Sequence, residues 1–117
     1  MTDRTWIEQA SEVLARLDSG DAPSRDEQRA VVKASLAALV ERAPGRSVEV
    51  RIPPFAAVQA VAGSRHRRGT PPAVVETDAA TWLALAVGRL TWIEATASGR
   101  LRASGERSDI SGYLPLI

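Results

Sequence analysis

The chain has 117 residues, with 15 lysines and arginines against 14 acids, one histidine and no cysteine. That length suits one folded unit with its own core, and so even a balance gives no global field for nucleic acid or anionic lipid. Lack of cysteine excludes disulfides, thiolate catalysis and cysteine-ligated metals, and a lone histidine argues against a histidine-built metal site.

The charge is unevenly split. Up to Ala43 the acids Asp3, Glu8, Glu12, Asp18, Asp21, Asp26, Glu27 and Glu41 outnumber the bases, and beyond it Arg65, Arg67, Arg68, Arg100, Arg102 and Arg107 reverse the balance. The stretch MTDRTWIEQASEVL has no apolar signal core, and no run approaches the ~20 apolar residues of a membrane span. A cytoplasmic protein without integral membrane association is expected.

Residues 1–43 read as a pair of helices. Thr5 and Glu8 have capping-box spacing, and Trp6, Ala10, Val13, Leu14 and Leu17 recur at helical intervals. DSGDAP breaks that pattern. Ser24 with Glu27 forms a second box, ahead of Val31, Val32, Ser35, Leu36, Leu39 and Val40, and APG at 43–45 ends the helix. Both stripes are expected to face a core.

Alternation then replaces helical spacing. SVEVRI sets Val48, Val50 and Ile52 against Glu49 and Arg51, a half-buried strand stopped by Pro53-Pro54. FAAVQAV is apolar on both faces except at Gln59 and suggests a more central strand. GSRHRRGTPP turns the chain and AVVET returns, so a hairpin is expected there. Asp78 caps a helix over 79–87 that is apolar nearly all round, with Gly88 at its left-handed end. Thr91 and Glu94 form a third box for WIEATAS, closed by Gly99. RLRAS is a last strand with Leu101 and Ala103 inward, and Ser108 caps the start of a short apolar tail.

Catalytic signatures are missing: no G-x-S-x-G surrounds a serine, and no carboxylate pair stands apart from the helix-surface charges. Gly63 to Gly69 has neither the spacing nor the lysine of a phosphate loop. The cluster Arg65, His66, Arg67 and Arg68 is either a solvated turn tip or an anion-binding site. Nucleic acid would need more phosphate contacts and stacking aromatics. The all-round apolar helix is either part of a filled core or the wall of a site for an apolar ligand.

PPFAAVQ, RGTPP, VVETD and TW, followed by ASGRLRASGE and a short terminal helix, together resemble the sterol carrier protein type 2 family, and in particular its small actinobacterial members. The resemblance covers residues 46–117. It implies an α+β fold: a mostly antiparallel five-stranded sheet covered by helices and enclosing an apolar tunnel, here preceded by the helical pair. It also implies tunnel positions at Phe55, Val58, Trp82, Leu85, Ala86, Leu114 and Leu116. On this basis the chain is expected to be a single domain over 1–117 that binds an apolar small molecule, fatty acyl or sterol-like, without catalysis or cofactor. Arg67 or Arg68 would meet an anionic head group. The alternative is an interaction module in which residues 1–43 pair two chains as a homodimer and loop 63–69 binds a protein or nucleic acid.

Overall fold

A computed structural model describes residues 4–63 and 73–117. Helices α1 (Thr5–Asp18) and α2 (Arg25–Arg42) follow from their apolar stripes. Trp6, Ala10 and Val13 of α1 are buried, as are Val31, Val32, Ser35, Leu36 and Leu39 of α2. At the start of α2, Ser24 Oγ accepts from the Glu27 N–H at 3.1 Å and Glu27 Oε1 accepts from the Ser24 N–H, so two orphan donors are satisfied. The box expected at Thr5 does not form. Thr5 is already helical, and the N-cap is Arg4, whose side chain makes no capping bond.

Among the described residues the sheet has four strands, β1 (Val48–Ile52), β2 (Ala56–Ala60), β3 (Ala73–Thr77) and β4 (Leu101–Ser104), in the order β2-β1-β3-β4. This corrects the expected five strands to four among the described residues, while the sheet is mostly antiparallel as expected. Pairs β1–β2 and β3–β4 are antiparallel, but the central pair β1–β3 is parallel. It also corrects the placing of β2, which is an edge strand with Ala60 alone buried. Small alanines tolerate partial exposure, so an apolar run there does not require two covered faces.

The same topology overturns the hairpin expected across residues 63–72. The tight turn at Pro53-Pro54-Phe55, closed by the Phe55 N–H on the Ile52 carbonyl at 2.8 Å, already seats β2 on one edge of β1. β3 does not extend the sheet beyond β2 but pairs with the other edge of β1 and runs parallel to it, so β2 and β3 are not neighbours. Pairing sets Val58, Val50, Val75 and Ala103 in one row on the inner face. Val50 and Val75 are buried, whereas Ala103 is exposed, contrary to expectation, because its row ends on an edge strand. The other face carries Gln59, Glu49, Arg51, Glu76 and Arg102, none of them buried.

Helix α3 (Ala79–Ala86) begins where Asp78 Oδ1 accepts from the Thr81 N–H at 2.8 Å. It ends at Gly88, with φ at +80°, where the Arg89 N–H reaches the Ala84 carbonyl at 2.8 Å. Thr91 and Glu94 form the expected box at the start of α4 (Trp92–Ala97). Near the C-terminus the expected cap at Ser108 does not form: the 3-10 turn Ser111–Tyr113 starts from Ile110 without a side-chain cap, and Asp109 Oδ1 accepts from the Ser111 N–H at 2.9 Å in a local turn just ahead of it. One apolar cluster joins α1, α2, α3, the inner face of the sheet and Leu116.

Candidate functional site

α3 is the centre of the candidate site. Ala79, Thr81, Trp82, Leu83, Leu85 and Ala86 are buried, so the helix is enclosed on nearly every side. α1 and α2 pack against it. Its indole is fixed by a relay in which Trp82 Nε1 donates to Ser35 Oγ at 2.8 Å and that hydroxyl donates to the Val32 carbonyl at 2.8 Å. Both groups are buried, and the relay satisfies them.

The C-terminal tail covers the end of α3. The Leu116 N–H donates to the Ala86 carbonyl at 2.8 Å, one of the carbonyls a helix end leaves open. Arg42, in the last turn of α2, holds the tail from the other side. Its Nη1 donates to the carbonyls of Tyr113 (3.2 Å) and Pro115 (2.6 Å), and its Nη2 to that of Leu116 (3.4 Å). Leu116 is thereby pressed into the core at 7 % exposure, while Ile117 stays 51 % exposed.

Of the positions implied by the resemblance, Trp82, Leu85 and Ala86 lie buried on α3, and Leu116 meets Ala86 directly. Leu114 is half-buried in the tail. Phe55 in the first turn and Val58 on β2 are half-buried and pack at the margin of the same core. Arg65, His66, Arg67 and Arg68 lie outside the described residues.

Two surface clefts flank this core. One, of about 200 Å³, lies between the start of α1, the end of α2 and the tail, lined by Arg4, Trp6, Ala38, Glu41, Arg42, Leu116 and Ile117. The other, of about 260 Å³, lies between α1 and α2 and contains the Arg16–Glu27 ion pair at 3.0 Å. The Glu27 carboxyl is held below its ordinary range, chiefly by the Ser24 backbone and side chain, with Arg16 adding to it.

The sequence places Ser35 in the core-facing stripe of α2 without giving it a partner, and it singles out neither Arg42 nor the first cleft. Ser35 did leave a signal, a polar residue inside the buried stripe Val31, Val32, Leu36, Leu39. Arg42 left none, because its acceptors are backbone carbonyls more than seventy residues away.

Among the described residues no helix is long and apolar enough to cross a membrane, and no three His, Cys, Asp or Glu side chains are grouped to hold a metal ion. A search of curated proteins finds no match. A family model described as bacterial SCP ortholog matches residues 24–116, from the N-cap of α2 through β1–β4 to Leu116. The match reaches further toward the N-terminus than the resemblance over 46–117, and leaves α1 outside. An α+β chain with an enclosed apolar helix, matched over most of its length, belongs to the bacterial SCP ortholog family of small sterol-carrier-like proteins.

Proposed function

We propose that this protein is a non-enzymatic carrier of an apolar small molecule, a fatty acyl lipid or a sterol-like compound, held between the sheet and the helices. Family membership over residues 24–116 carries the reading, because a carrier role is what the family suggests. The enclosed α3 beneath a single extended tail supports it. Phe55, Val58, Trp82, Leu85, Ala86, Leu114 and Leu116 form the walls of the proposed space.

Energetics favour a space that opens on binding. A permanent apolar void of ~300 Å³ would cost roughly 7 kcal/mol at ~24 cal/mol per Å³, against a total stability of about 5–15 kcal/mol. Lifting the tail is a smaller step. It exposes Leu116, about 2 kcal/mol, and breaks four hydrogen bonds of about 1 kcal/mol each. Burying about 300 Å² of ligand chain returns about 7 kcal/mol at ~25 cal/mol per Å², enough to offset it.

Native mass spectrometry of gently purified protein tests the proposal. Bound lipid, or stoichiometric uptake of added fatty acid, is expected. Neither bound lipid nor uptake would overturn it.

A further inference from the structure

We propose that the surface formed by the α3–α4 connection, the start of α4 and the C-terminal tail docks on a neutral lipid bilayer, with Ile93 and Ile117 entering its apolar layer and Trp92 at the level of the head groups. This rests on the carrier reading and adds to it the partner from which the ligand is taken.

Among the described residues Ile93 and Ile117 are the large apolar side chains left exposed, at 77 % and 51 %. The fold brings their two segments together. A Cβ on Gly88, just past α3, would lie 3.5 Å from Pro115 and 3.9 Å from Ile117 Cδ1. Ile93 follows Gly88 in the same connection, within a reach of roughly 18 Å at ~3.6 Å per residue. Leu90 and Trp92, between them, are half-buried against the core. In α4 itself only Ala95 is buried, so the helix lies on the surface.

These features fit a bilayer better than a protein. Protein partners seat apolar anchors in pockets over about 800 Å² a side, and Ile93 lines neither surface cleft. A fluid apolar layer imposes no such shape. Tryptophan suits the boundary of that layer, with an apolar body and a polar N–H, and the Trp92 indole N–H makes no hydrogen bond among the described residues. Charge does not call for an anionic surface. On these segments and the start of α1 beside the tail, Arg4, Arg42, Arg89 and Arg100 stand against Glu41, Glu94 and the Ile117 carboxylate, close to balance. The tail also links docking to the proposed opening. The residue before Ile117 is Leu116, whose N–H bonds to the Ala86 carbonyl, so drawing Ile117 into lipid pulls on the strap over the enclosed helix.

The test is flotation of the full chain with vesicles of pure phosphatidylcholine, beside native mass spectrometry of fatty acid uptake from solution. Wild type is expected to float with the vesicles, and raising the salt about tenfold should change binding less than about twofold. Its tryptophan emission should shift to the blue, because Trp6 and Trp82 are already buried and Trp92 is not. Ile93→Glu, at an exposed position, should lower vesicle binding about tenfold or more at unchanged melting temperature and unchanged uptake from solution. Ile93→Leu should bind as wild type does. Equal vesicle binding by Ile93→Glu and wild type, or wild-type binding only when anionic lipid is added, would overturn the docking surface. Absence of vesicle binding would overturn it too, and fatty acid uptake that persists would leave the carrier reading intact. Vesicle binding that is lost in Ile93→Glu, without uptake of fatty acid by wild type, would overturn the carrier reading instead.

Discussion

Trp82 and Ser35 are 47 residues apart in sequence, and the indole N–H of one donates to the hydroxyl of the other at 2.8 Å inside the core. The bond ties α3 to α2 and fixes the orientation of the largest fully buried side chain. Ser35→Ala removes the acceptor and leaves a buried donor unmatched, and should cost about 1–3 kcal/mol. The urea midpoint measures it. A change within about 0.5 kcal/mol, the size of a surface substitution, would show that the bond does not hold the two helices together.

Arg42 should matter to the tail more than to the rest of the fold. Arg42→Leu frees the carbonyls of Tyr113, Pro115 and Leu116. Amide exchange at Leu116, whose N–H is bonded to Ala86, should then speed up about tenfold or more. Exchange at Val50 and Val75, buried in the central strands, should change much less. Uniform acceleration would mean that the tail opens only with global unfolding.

Gly45 and Val61 make a close backbone crossing. Val61 lies at φ +69°, its N–H donates to the Ala43 carbonyl at 2.6 Å, and its carbonyl accepts from the Ser47 N–H and Oγ. A Cβ on Gly45 would sit 2.2 Å from the Val61 carbonyl carbon. Gly45→Ala should therefore destabilise by about 3 kcal/mol or more. Gly99→Ala, at φ +78° with open space around it, should cost only the left-handed strain of about 1–2 kcal/mol. Denaturant midpoints for the two variants separate the clash from the strain.

Acid should weaken the helix starts. The carboxyls of Glu27 and Glu94 lie below their ordinary range, the first chiefly through the backbone and hydroxyl of Ser24, the second chiefly through the hydroxyl and backbone of Thr91. Asp109 is lowered by the side chain and backbone of Ser111. Each binds its proton less readily folded than unfolded, so its contribution is complete above the ordinary carboxylate pKa of about 4. It is lost as pH falls through the lowered folded value. Melting temperature measured from pH 7 to pH 3 should fall less steeply in the double variant Glu27→Gln, Glu94→Gln than in wild type. Parallel curves would assign the acid sensitivity to other groups.

Local chemistry was legible in the sequence where it acts locally. Ser24 with Glu27, Asp78, Thr91 with Glu94, and Gly88 mark helix ends because each cap is completed within a few residues. Val48, Val50 and Ile52 reveal a buried face because alternation needs no partner to be visible. Which strand lies at an edge depends on pairing instead. Ala56–Ala60 looks central by composition, and only its place outside β1 makes it an edge. The turn residues at 63–72 suggest a hairpin, but β3 pairs with the far edge of β1 instead of with β2, a long-range choice that turn residues do not encode. At the candidate site, the apolar character of Trp82, Leu85, Ala86 and Leu116 could be read directly. The grip of Arg42 could not, because backbone carbonyls carry no side-chain signature.

The most direct test of the carrier claim is a two-dimensional amide NMR titration of the full chain with a long-chain fatty acid. The account predicts saturable shifts at Leu85, Ala86 and Leu116, with faster exchange at the Leu116 amide as the tail lifts. Absence of saturable binding, or shifts confined to the outer face of the sheet around Glu49 and Glu76, would contradict it.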